Sequence, residues 1–446
     1  MLNKFIAPAL LAITAAVPVQ AVAADKIKFD FWYGNTGAIG DVIAAQCKKF
    51  NESQAKYETN CTGQGGYDKA EQNTIAAYRA KQQPTLVQLY DAGTVNFMLS
   101  GAVVPAVKFA KDNNIAIDWA DYYPAISNFF ATSKGELWSF PYNNSTALMY
   151  YNKDALAKIG KAAAPANLEE LTDDMKLLKA AGYDCAYALD FDPWVNLEQF
   201  SYISNVPLAS KNNGYDGLDA ELTFNKGKAV DFAKLAKSWL DNGYAKVMTA
   251  QTGKDKVKAF ADGSCQFMYT SVGDHATVTA THADSVHWGV APLPVFKDSG
   301  RVNSAIGGAS VWVMAGKSAD EYAGAAEFIK YITAYETGVK YIAQNTGYIP
   351  VTKSGFKKLS EEGFYKDAKF AGREVALQSL EAAPVTPVSR GQRLGNYTAI
   401  RAAWQSEFQA AMLGQKDVQA AYDDAAKAGN DILRRYEQTF KGQKLP

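Results

Sequence analysis

Apolar positions along the first hundred residues change period repeatedly. In KIKFDFWYG (26–34) they alternate into a short apolar run that stops at Gly34, the two-residue period of a strand. AIGDVIAAQCKKFNES (38–53) then places Ile39, Val42, Ile43 and Phe50 at helical spacing, so a helix packs on that strand. A strand before Gly63, a helix through EQNTIAAYRAKQ (71–82) and a strand in PTLVQLYDAG (84–93) follow. Strand, helix, strand, helix, strand predicts a mostly parallel sheet whose ligand-facing edge lies beyond the carboxyl ends of its strands.

The pattern restarts after LWSFPYNNSTALMYYNKDAL (137–156). A helix is predicted over NLEELTDDMKLLKAAG (167–182), a strand over YDCAYALDF (183–191) and a helix near VDFAKLAKSWLDNG (230–243). HWGVAPLPVF (287–296), with Pro292 and Pro294, reads as a strand crossing between halves. GGASVWVM (307–314) reads as a buried strand fed by glycines, and DEYAGAAEFIKYITAY (320–335) as an amphipathic helix. From 356 onward the chain is mainly helical, closing with DVQAAYDDAAKAGNDILRRYEQTF (417–440). Two α/β halves crossed more than once by one chain imply a cleft between them.

The length of 446 residues exceeds what one core holds, which is roughly 250–300 residues, so at least two lobes are expected. With 48% hydrophobic and 21% charged residues, the composition is that of a globular protein, without repeats or low-complexity tracts. The start, MLNKFIAPALLAITAAVPVQAVAA (1–24), combines Lys4, an apolar run and small residues before a cleavage point near Ala23 or Ala24. It reads as a secretory leader, too short and too interrupted by Pro8 and Pro18 for a membrane span. Its removal takes one lysine from a formally neutral chain and leaves a net charge of about −1, which disfavours a nucleic-acid partner. A periplasmic or secreted, monomeric protein is expected.

Cys47, Cys61, Cys185 and Cys265 would sit in an oxidising compartment. Three pairings are possible. Cys47 on the first helix and Cys61 on the strand after it favour Cys47–Cys61, leaving Cys185–Cys265.

Enzyme signatures are scarce. His275, His282 and His287 lack metal-ligand spacing and read as solvated or capping residues. AGKS (315–318) has Val311 where a phosphate loop needs glycine, and GQGG (63–66) lacks the third glycine of a dinucleotide fingerprint and reads as a flexible loop at the cleft edge. Ser271 is preceded by Tyr269 rather than the glycine of a nucleophile elbow. Asp190 and Asp192, beside Pro193, read as loop residues rather than a catalytic pair. A binder without metal or cofactor is expected, not an enzyme.

What remains is polar and aromatic residues at predicted strand ends: Tyr67, Asp91, Ser145, Phe191, Trp194, Ser271, Gly308, Tyr348 and Arg401. Aromatic faces would cover the C–H surface of a small polyhydroxylated ligand while hydroxyls, amides and a carboxylate take its hydrogen bonds. RGQRLGNYTAIR (390–401) adds three arginines. Arg401 is expected to fork onto phosphate oxygens, Arg393 to brace the Gly395-Asn396 turn and Arg390 to face solvent.

FWYGNTGAIG, AAYRAKQQPTLVQLYDAGT, NNSTALMYYNKDA, LASKNNGYDGLDA, IGGASVWVM, NTGYIPVTKSG and RLGNYTAIR together resemble the extracellular solute-binding proteins of ABC importers, in particular the members that carry glycerol phosphates. The resemblance runs over essentially the whole mature chain. It implies the two-lobed α/β fold of periplasmic binding proteins, with residues 25–142 and 295–340 in one lobe and 143–294 and 341–446 in the other. It implies ligand contacts from Tyr67, Ser145, Ser271, Gly308, Tyr348 and Arg401, and delivery of a small organophosphate, sn-glycerol 3-phosphate or a glycerophosphodiester such as glycerophosphocholine, to inner-membrane permease subunits. Where that pattern has two stacking tryptophans this chain has Phe191 and Trp194, and where it has glutamate this chain has Asp91. Both departures touch the glycerol end. A neutral oligosaccharide is the alternative ligand, and a secreted phosphodiesterase or glycoside hydrolase the alternative class.

Overall fold

Strands β1 (Ile27–Tyr33), β2 (Tyr57–Gly63), β3 (Leu86–Tyr90), β4 (Val103–Val104) and β5 (Phe140–Ser145) come from the first third of the chain, and all five enter one sheet. The next five, β6 (Ala147–Asn152), β7 (Tyr187–Leu189), β8 (Ala245–Val247), β9 (Phe267–Ser271) and β10 (Trp288–Pro292), form a second sheet, and β11 (Gly307–Met314) returns to the first. These elements belong to a computed structural model that describes residues 25–281 and 287–446. The leader expected at 1–24 and His282 lie outside the described residues.

The first sheet is less parallel than the sequence suggests. β1 pairs in parallel with β2 and β3, but β11 runs antiparallel to β3, β4 and β5 and takes the centre. GGASVWVM is apolar at nearly every position because, as a central strand, it is covered on both faces. The second sheet has the order β10-β6-β9-β7-β8, parallel only where β7 meets β8 and β9. HWGVAPLPVF is its edge strand β10, paired with β6; the crossing itself lies beyond it, between Pro292 and Gly307.

A single residue, Thr146, separates β5 from β6, so the chain leaves one sheet and enters the other within one step. Its buried hydroxyl donates to Ala305 O (2.8 Å) on the returning segment, tying two crossings together. Each sheet has its own apolar packing: Phe29, Phe31, Phe50 and Phe328 beneath the first, Tyr187, Trp239, Trp404 and Phe408 around the second.

Both expected disulfides form. Cys47–Cys61 ties the helix Gly37–Ser53 to β2 across a separation of 14 residues, and Cys185–Cys265 closes a loop with a separation of 80. Chain entropy assigns the first about 3 and the second about 4.5 kcal/mol. Among the described residues no helix is long and apolar enough to cross a membrane.

Candidate functional site

Where the carboxyl ends of β3, β5 and β9 and the start of β11 converge, they enclose a cavity of about 550 Å3. Eight of the nine residues singled out above line it: Tyr67, Asp91, Ser145, Trp194, Ser271, Gly308, Tyr348 and Arg401. Not all are strand ends, because Tyr67 opens the helix Tyr67–Arg79, Trp194 opens a π-helical turn (Trp194–Gln199) and Arg401 lies in the helix Tyr397–Met412.

The ninth, Phe191, does not reach it. Its ring is buried and meets Phe408 edge-on at 6.4 Å, on the wall of a second cavity. The stacking role expected for Phe191 in the ligand cavity is therefore corrected, leaving Trp194 as the indole there.

Arg401 also departs from expectation. Its Nε and Nη2 grip Glu198 Oε1 and Oε2 at 2.6 and 2.7 Å, and Nη2 also meets Asp91 Oδ2 at 2.8 Å. Glu198 is fully buried, and the rings of Tyr90 and Tyr397 each stand 5.4 Å from the guanidinium carbon. Burial works against the charge of Arg401, but Asp91 and Glu198 more than offset it and hold its pKa well above the ordinary arginine value. Only Nη1 has no protein partner among the described residues, so a phosphate clamp built on the whole fork is corrected to a fork committed to two carboxylates.

The opposite wall is neutral. Tyr67 Oη donates to Asn35 Oδ1 (3.2 Å) and accepts from Asn143 Nδ2 (2.9 Å); Asn35 Nδ2 donates to Tyr348 Oη (3.0 Å), and the two tyrosine oxygens are 3.3 Å apart. Gln88 fixes this set, donating to Asn35 and Asn143 while accepting from Gly34 N. The Tyr67 ring stacks on Tyr90 at 5.4 Å. Ser271 accepts from Gly273 N (2.9 Å), which leaves its hydroxyl hydrogen free to donate. Ser145 ends β5 opposite Gly307, and its hydroxyl has no partner among the described residues.

Two glycines make room. Gly308 has φ +92°, and a Cβ there would sit 2.1 Å from Asn143 O. At Gly307 a Cβ would meet the Trp194 ring at 2.4 Å, so the indole lies against bare backbone. Trp194 is oriented from behind, its amide donating to Asp192 Oδ1 at 2.9 Å.

Gly65, Gly66, Asp68 and Lys69 complete the rim. The helix Tyr67–Arg79 starts at Gly66 with no side-chain cap, so its first-turn amides remain available to an anion. The last two glycines of GQGG are thus part of the wall.

Other expectations need correction. Arg393 is buried, and its Nη2 donates to Ala131 O and Phe129 O at 2.8 and 3.1 Å; it staples distant backbone rather than its own turn. Arg390 is half-buried against the Tyr215 ring at 3.6 Å instead of facing solvent. His275 is neither solvated nor a cap. It is fully buried, its Nδ1 accepts from Arg373 Nε (3.2 Å), and its Nε2 donates to Ala371 O (3.1 Å). His287 is exposed and paired with Asp154.

Glu198 escaped the sequence reading, although a carboxylate inside the apolar run WVNLEQFSYI signals a buried cation nearby. Asn35, Gln88 and Asn143 escaped too, having no spacing that marks them. Among the described residues no group of three or more His, Cys, Asp or Glu could hold a metal ion.

Two α/β lobes meeting around a cavity of metabolite size define a solute-binding receptor. Residues 45–371 match the model of the bacterial extracellular solute-binding proteins. The chain belongs to that family. It is 35% identical over 437 residues to the sn-glycerol-3-phosphate-binding periplasmic protein UgpB of Yersinia pseudotuberculosis serotype I, covering 97% of both chains. It is 33% identical over 434 residues to the UgpB of Escherichia coli O1:K1, covering 97% of this chain and 98% of that one. Among solved structures, UgpB from Mycobacterium tuberculosis in complex with glycerophosphocholine superposes with a TM-score of 0.74 at 23% identity, covering 92% of this chain and 99% of that one. A cyclic maltosyl-maltose-binding protein from Arthrobacter globiformis superposes with 0.72 at 16% identity, covering 92% and 100%.

Proposed function

We propose that this protein is a periplasmic receptor that captures sn-glycerol 3-phosphate, or a glycerophosphodiester such as glycerophosphocholine, and hands it unchanged to the permease subunits of an ABC importer. The observation that carries the reading is the division of the cavity. One end offers uncharged donors: the hydroxyls of Ser145, Ser271 and Tyr348 beside the committed Tyr67, with the amides opening the helix Tyr67–Arg79. The other end presents the Asp91–Arg401 pair. A phosphate suits the first end, where amide dipoles and several hydroxyls share its charge and Lys69 stands on the rim. A diol suits the second, because a carboxylate and a guanidinium accept from and donate to its hydroxyls in fixed directions. The extensive likeness to the two curated relatives supports the same ligand class.

The two lobes would rotate about Thr146 and the returning segment before β11, with all of β5 and Tyr348 on the side of the first sheet rather than parted from it at 142 and 340, so that closure brings Asp91 onto Arg401. The receptor would work as a monomer, with no nucleic-acid partner and no catalysis. A thermal-shift panel tests this: glycerol phosphoesters raise Tm, while glycerol alone and maltodextrins do not. Stabilisation by maltodextrins alone refutes it, and hydrolysis products in the incubated sample refute the non-catalytic part.

A further inference from the structure

Beside the first cavity lies a second, of about 700 Å3, and Asp192, Trp194 and Ser271 line both. Its walls carry Asp190, Asp192, Asp255 and Asp274 against the ammonium of Lys256. Lys256 is buried and already committed to Asp190, its Nζ 2.8 Å from Oδ2. Asp274 takes only a neutral partner among the described residues, the Thr270 hydroxyl at 2.5 Å. The chamber is therefore an excess of carboxylate bounded by aromatic faces, Trp194 on the shared wall and Phe191 deeper in, with the thioether of Met248. An anion would be repelled there. A cation would meet carboxylates at long range and ring faces at contact.

The first cavity has a matching imbalance. Asp68, Asp91 and Asp192, with Glu198 behind Arg401, outnumber Lys69 and Arg401. A phosphomonoester brings close to two negative charges near neutral pH, a diester only one, and a diester of a cationic alcohol none net. Resting on the receptor reading above, we infer that the second cavity is the headgroup subsite, and that the protein selects glycerophosphodiesters whose second alcohol bears an ammonium group. The phosphate stays on the neutral wall, the glycerol faces Asp91 and Arg401, and the cationic arm passes Trp194 and Asp192 into the acidic chamber. This gives Phe191 a place against the headgroup rather than the glycerol.

Titration calorimetry on the mature chain compares glycerophosphocholine and glycerophosphoethanolamine with glycerophosphoglycerol, which keeps the phosphodiester but has a neutral arm. Both cationic diesters are expected to bind at least about tenfold more tightly. Asp274→Asn, and separately Gln409→Lys on the exposed rim of the chamber, are expected to bring that ratio to within about twofold; the second needs no buried group to repack. Equal affinities in the unmodified protein, or ratios unchanged in both variants, overturn the headgroup subsite while leaving the receptor reading in place. Binding of no glycerol phosphoester would overturn both.

Discussion

Arg401 Nη2 and Asp91 Oδ2 stand 2.8 Å apart although 310 residues separate them in the chain. Asp91 follows β3 of the first sheet, and Arg401 is held by Glu198, which follows β7 of the second. One ion pair thus joins the two halves at the floor of the cavity.

Replacing Arg401 by alanine leaves the buried carboxylates of Asp91 and Glu198 facing each other without a cation. Breaking a buried pair in this way costs about 3–5 kcal/mol. Denaturant unfolding should show a loss of that size, together with at least about a tenfold loss in affinity for glycerol phosphoesters. Unchanged unfolding would mean that the guanidinium is not braced as described.

Gly308→Ala forces a side chain into a left-handed conformation and against Asn143 O. It should lower Tm and weaken ligand binding. Gly300→Ala, where a Cβ meets nothing within 4 Å, is the control and should change neither.

The pKa of His275 is pushed down to about 4, first by burial and then by the adjacent Arg373. Its unfolded value is about 6.5, so the unfolded chain binds more protons than the native one between those two pH values. This contribution to stability is full above about 6.5 and is lost as pH falls toward 4. The difference between pH 7 and pH 5 is about 2 kcal/mol from this residue. Unfolding curves of the protein and of His275→Gln at both pH values isolate it: the variant should show a shallower pH dependence, and parallel curves would contradict the assignment.

Loop length ranks the disulfides. Cys185→Ser with Cys265→Ser should lower stability by more than Cys47→Ser with Cys61→Ser, by about 1.5 kcal/mol on chain entropy, measured by chemical denaturation.

Much of this architecture is legible in the chain because each half-buried strand repeats every two residues and each surface helix every three to four. β1, the helix Gly37–Ser53 and the closing helix Val418–Thr439 fall close to where periodicity places them. Sheet direction was less accessible, since β11 runs antiparallel through a position that a simple alternation of strands and helices would fill in parallel. Periodicity says that GGASVWVM is buried, not which way it runs. For the site, eight residues converge on one cavity, yet the role of Arg401 could not be read locally. Its partners lie 203 and 310 residues away, and only the folded chain reveals that its fork is occupied. Phe191 was misplaced for a smaller reason: it lies two residues past the end of β7 and three before Trp194, and of the two rings only Trp194 reaches the first cavity, while both line the second.

The central claim is that the cavity holds an intact ester of glycerol and phosphoric acid. Titration calorimetry with sn-glycerol 3-phosphate, glycerophosphocholine, glycerol and maltose, followed by phosphorus NMR of the recovered ligand, tests it most directly. The account predicts saturable one-to-one binding of a phosphoester, none of glycerol or maltose, and an unaltered phosphorus resonance. Heat released with maltose and none with either phosphoester would contradict it.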